Sequence, residues 1–200
     1  RRLTTEIDMG VLGPCAHCRE TQENIHAAIG DIQPLGWQFQ IKSDVLLNYY
    51  AKYERGIDLK NKHYDLVGFA DANAGTLYDN AGVGFSARFG WLNPYFGSIG
   101  SARATSKEGQ AGKRYQFYFF TRAKAQAVVY NAALQGGMFN RSSIYTIAPD
   151  KMKRIVFSDF LGAVLVLRNL RIEYTQAFLS PEFKKGLPHG WGHVGITTCF

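Results

Sequence analysis

Ala81-Gly82-Val83-Gly84-Phe85-Ser86-Ala87-Arg88-Phe89-Gly90-Trp91 alternates without a break. Ala81, Val83, Phe85, Ala87, Phe89 and Trp91 share one face of an extended chain; Gly82, Gly84, Ser86, Arg88 and Gly90 share the other. Successive side chains of a strand point to opposite sides, so this segment is a strand with one apolar and one polar wall.

The same period runs on in both directions. Upstream, residues 3–11 set Leu3, Thr5, Ile7, Met9 and Val11 against Thr4, Glu6, Asp8 and Gly10. Residues 40–55 set Val45, Leu47, Tyr49, Ala51 and Tyr53 against Leu46, Asn48, Tyr50, Lys52 and Glu54; residues 64–76 continue the pattern. Downstream, 114–124, 154–168, 170–179 and 191–200 read as strands, the last ending on Phe200. Residues 125–150 read as irregular, with Gly136-Gly137 and Pro149 as breakers. Arg19 to Ile29 reads as a short helix closed by Gly30. Its Ile25, Ala28 and Ile29 share a side, and acidic residues sit in its first turn, where the helix dipole favours them. No repeat, low-complexity tract or linker divides the chain, so residues 1–200 read as a single domain.

Composition narrows the class. An apolar content of 46% against 20% charged argues against disorder. The longest apolar run, Phe160 to Leu167, falls far short of the roughly 18 residues of a membrane-spanning helix. Membrane barrels survive that test. The opening Arg1 to Thr5 holds no apolar signal core, so the chain reads as a mature protein, a soluble cytosolic one or a piece of a longer one. A net charge of +7 suits an anionic partner. Nucleic acid is not expected, because the Lys and Arg are scattered along alternating strands rather than gathered in a stripe.

About eight long antiparallel strands suit a soluble barrel with apolar faces inward, or an outer-membrane barrel with them outward and a polar lumen. The second is favoured. The polar faces carry Glu6, Asp8, Asp71, Arg88, Arg122, Lys124, Arg171 and Glu173, mixed charges that can pair across a lumen. The fold class expected is all-β: an antiparallel transmembrane β-barrel with a short helix in an extracellular loop. Counting back from a last strand that ends at the periplasm puts 12–39, 125–150 and 180–190 outside and 92–112 on the periplasmic side.

Ile7-Asp8-Met9-Gly10-Val11-Leu12-Gly13-Pro14, Gln22-Glu23-Asn24-Ile25-His26 and Gly36-Trp37-Gln38-Phe39-Gln40 resemble the outer-membrane lipid A 3′-O-deacylase family. So do Leu47-Asn48-Tyr49, Tyr53-Glu54-Arg55, Arg88-Phe89-Gly90-Trp91 and Glu182-Phe183-Lys184, in that order along essentially the whole chain. The resemblance implies a barrel of about twelve strands, of which this chain would be the C-terminal part, lacking about four N-terminal strands. It implies a monomer in the bacterial outer membrane, with lipid A of lipopolysaccharide as substrate and calcium as cofactor. The calcium ligands are expected outside this chain, with the N-terminal Asn-Asp pair of the family.

By the same resemblance His26 is the catalytic base and Gln22 a residue that orients substrate or water. They stand at i and i+4, so on a helix they share a face. Ester hydrolysis needs a base that works near neutral pH, which histidine supplies. A histidine on a surface helix without a role is the plain alternative. Glu54 and Arg55 match a recurring family dipeptide and read as a structural ion pair.

Cys15-Ala16-His17-Cys18 is half of a metal or redox motif, and a local disulfide or two free thiols is the simpler reading. His189 and His193 offer two metal ligands; the plainer reading is a loop-to-strand junction with Trp191 as an interfacial anchor. Arg19, Arg141, Lys151, Lys153, Lys184 and Lys185 suit lipid A phosphates, or form a solvated rim. The rival functions are an inactive structural or lipid-binding barrel and a soluble lipid-carrying barrel.

Overall fold

The computed structural model describes residues 1–58, 63–97 and 113–198. Eight strands follow one another: β1 (Arg2–Leu12), β2 (Asp44–Asp58), β3 (Tyr64–Gly75), β4 (Tyr78–Trp91), β5 (Tyr115–Asn131), β6 (Ile155–Leu167), β7 (Leu170–Leu179) and β8 (His189–Thr198). Each pairs antiparallel with the next in one sheet, which curls into a half-barrel. Helix α1 (Cys18–Ile29) lies between β1 and β2, and the short α2 (Ala132–Gln135) follows β5. The connection 98–112 and the terminal Cys199-Phe200 lie outside the described residues.

The register fixes which wall each side chain joins. Phe85 sits opposite Gly68 on β3 and Ala123 on β5; Phe89 sits opposite Tyr64 and Phe119. Tyr64, Phe85, Phe89 and Phe119, with Ile7, Met9, Leu47, Val83, Trp91, Phe117, Leu161 and Ile196, cover the convex side and are exposed. The apolar faces look outward, so the soluble reading with a dry centre fails. Large apolar side chains over a whole sheet face are what hydrocarbon requires and water penalises.

The concave side is polar and internally paired. Arg88 forks onto Asp65, and Lys124 reaches Asp71 at 2.6 Å. Asn48, Asn73 and Asn80 form a ladder, with amide contacts of 3.3 and 3.0 Å. A small apolar cluster joins Leu92, Tyr118, Val164 and Val166 at the foot of β4–β6.

Three expectations change. The segment from Ala125 onward is not irregular at first: β5 runs to Asn131, paired with β4 and β6. β2 begins at Asp44 rather than residue 40, because Trp37–Phe39 form a 3-10 turn. Trp191 is not an outward anchor. It pairs with buried Ala177 and meets the Phe160 ring at 6.5 Å, which puts it on the concave side.

Candidate active site

Antiparallel order places 13–43, 132–154 and 180–188 at one end of the half-barrel, as parity requires. This end is knitted together. The Asp44 carboxylate, at the head of β2, accepts from the backbone N–H groups of Val45, Phe139 and Asn140. Ser143 Oγ accepts from Lys42 N at 2.9 Å, and the Phe39 and Tyr145 rings meet edge-on at 4.7 Å. Gly13, at φ +76°, runs so close to the 41–42 backbone that a Cβ would lie 2.6 Å from Ile41 O. Only glycine fits both that space and that φ.

Helix α1 starts from His17 in a left-handed conformation, without a side-chain cap. Thr21 Oγ1 donates back to His17 O at 3.0 Å. None of its residues is buried, so Ile25 and Ile29 lie uncovered. Gly30, also left-handed, ends it: Asp31 N donates to His26 O at 2.9 Å. Such a C-terminal turn reverses the chain over the last helical turn.

That reversal builds the site. His26 Nδ1 lies 2.7 Å from Ile32 O, and Asp31 Oδ2 lies 3.5 Å from the same nitrogen. A ring nitrogen that close to a carbonyl oxygen can only donate to it, so in the neutral ring the proton sits on Nδ1 and Nε2 is the nitrogen that can accept one. His26 is half-buried, Gln22 is exposed, and the helical spacing puts both on one face. Asp31 and Ile32 were invisible to spacing rules, because their approach to His26 depends on the turn at Gly30.

The remaining sequence-derived residues scatter. Arg19 is bound to Glu23 at 2.8 Å, and Arg141 Nε reaches Met138 O at 3.4 Å. Lys151, Lys153, Lys184 and Lys185 come together because Met152 and Phe183 form a β-bridge, with Lys184 N on Lys151 O at 2.7 Å. Cys15 and Cys18 are exposed free thiols beside the start of α1. His189 stacks near Trp191 at 5.5 Å. Glu54 binds not Arg55 but Arg2, Lys52 and Tyr95, at 2.5, 2.8 and 2.8 Å. Tyr95 and Asn93 belong to a segment read as plain connection; they fold under the concave face. Burial and the Glu54 carboxylate hold the Tyr95 phenol above its ordinary pKa, so it remains a donor.

The model of the family described as outer membrane protein LpxR matches residues 1–200. The chain belongs to the LpxR family. The solved structure of LpxR from Salmonella typhimurium superposes with a TM-score of 0.76 at 21% identity, over 100% of this chain and 67% of that one. At that identity the likeness is one of fold: the half-barrel matches part of the LpxR barrel. No curated protein matches. As an LpxR-family chain the protein is an outer-membrane protein. The described residues form no group of three or more His, Cys, Asp or Glu able to hold a metal, so they offer no calcium ligands, which the resemblance puts outside this chain.

Proposed function

We propose that this LpxR-family chain serves the hydrolysis of the ester that holds the 3′-linked acyl chain of lipid A. The observation that carries the reading is the His26 imidazole with Nδ1 tied to Ile32 O and Nε2 open. In the proposed step Nε2 takes a proton from water, and the hydroxide oxygen bonds to the ester carbonyl carbon. The tetrahedral intermediate expels the sugar oxygen, which takes the proton back, leaving free fatty acid and a 3′ hydroxyl. Gln22, one turn before His26, holds the water or the acyl carbonyl by its amide. The oxyanion requires a cation or fixed N–H donors, and none of the described residues is assigned that role. The helix-bearing end faces outward, where lipid A of lipopolysaccharide lies, and the protein acts as a monomer.

The test is fatty-acid release from lipid A by the full-length protein and its His26→Ala variant, each checked for the heat-dependent gel shift of a folded barrel. The variant is expected to release no 3′-linked acid while keeping the shift. Full activity in the variant removes the mechanism. No release by the unaltered protein leaves the inactive, lipid-binding barrel instead.

A further inference from the structure

The convex wall at the end opposite α1 carries a feature the hydrolytic reading does not use. Tyr64, Leu66, Ala87, Phe89, Phe119 and Thr121 line a groove of about 520 Å³ across β3–β5. Below it the exposed aromatics Trp91 and Tyr115 end the apolar wall. Each holds a cation. Lys113 Nζ sits 4.3 Å from the centre of the Trp91 ring, and Arg168 Nε donates to Tyr115 OH at 3.1 Å. Both residues stand at the same end of the sheet: Lys113 leads into β5, and Arg168 N donates to Arg114 O at 2.8 Å, tying the β6–β7 turn to the residue next to Lys113. Lys113 is also fixed from below: buried Asn93 accepts from its N–H at 2.8 Å and donates to its carbonyl at 3.2 Å. Neither cation has a carboxylate partner among the described residues.

We propose that this face binds an anionic glycerophospholipid, with one acyl chain in the groove and the phosphate between Lys113 and Arg168. The groove is continuous with the membrane-facing wall, so its occupant is hydrocarbon. Two cations with no carboxylate partner among the described residues, held at the aromatic belt where headgroups lie, favour an anionic headgroup. The choice of phospholipid over lipid A rests on the orientation proposed above, which puts this end in the periplasmic leaflet.

Native mass spectrometry of the full-length protein, exchanged with phosphatidylglycerol, phosphatidylethanolamine or lipid A, tests this. Phosphatidylglycerol should be retained in preference to phosphatidylethanolamine. Lys113→Gln with Arg168→Gln should weaken that retention about tenfold or more, as loss of charge-assisted phosphate contacts implies. Ala87→Trp, which fills the groove without touching charge, should weaken it too. Both variants must keep the heat-dependent shift, and fatty-acid release should be unchanged in the charge variant. Equal retention of phosphatidylglycerol by the folded charge variant overturns the site. Preference for lipid A at these residues overturns the orientation. Inactivity of His26→Ala, or its absence, leaves both outcomes readable.

Discussion

Glu54 and Arg55 are neighbours in the chain and point to opposite walls. Glu54, 1% exposed, accepts from Arg2, Lys52 and Tyr95, whereas Arg55 is exposed on the convex side. The expected ion pair between them does not form, because period two sends consecutive residues to opposite walls. Glu54→Ala strands two cations beside a buried phenol and should cost about 3–5 kcal/mol. Arg55→Ala should cost almost nothing. The temperature at which each variant loses its compact gel band measures the difference. His26 shows the same limit of legibility. Its shared face with Gln22 follows from the spacing, but its orientation comes from Gly30 at φ +69°. Gly30→Val would force a branched residue into the left-handed region at about 1–2 kcal/mol. If Ile32 O fixes the imidazole, fatty-acid release should fall roughly tenfold while the barrel still assembles. Unchanged release would detach Ile32 from the mechanism.

Helix α1 was readable as an element, since an acidic first turn and a glycine stop are local features. Its isolation was not, because what a helix packs against is a tertiary fact. β5 was cut short for a different reason. Ala123-Lys124-Ala125-Gln126-Ala127 alternates, but alanine and lysine favour helix as much as strand. The ladder decides: Ala123, Ala125 and Ala127 lie opposite Asp159, Phe157 and Ile155. The long β5 carries its following loop up to Asp44, which holds Phe139 and Asn140 by their backbone amides. No sequence rule links positions so far apart. Asp44→Ala leaves those partly buried donors to water, at about 1 kcal/mol. Hydrogen exchange at the Phe139 and Asn140 amides should accelerate, while the amides of β6 keep their protection. Equal acceleration in β6 would mean that Asp44 holds the sheet rather than the loop.

At the scale of the molecule, everything follows from one partition: an apolar convex wall and a paired, charged concave one. This part was the most legible, because alternation over eight strands repeats the same vote many times. Closure was not legible. β1 and β8 each pair on one side only among the described residues, and an open backbone edge is not tolerated in hydrocarbon. Both edges therefore need further protein backbone in the membrane, consistent with a match to only 67% of the Salmonella typhimurium chain. The partition itself can be tested one residue at a time. Phe85 stands near the middle of β4 on the convex side, and Ser86 beside it is buried on the concave side. Arginine at the lipid-facing midplane of a barrel costs about 2–4 kcal/mol, whereas lumen positions tolerate charge. Phe85→Arg should lower the unfolding free energy of the full-length protein, read from urea titration in lipid vesicles, by that amount. Gln126→Arg, on the concave wall of β5, should change it by less than about 1 kcal/mol. The reverse ranking would mean that the apolar faces line the interior, and the outer-membrane reading would lose its physical basis.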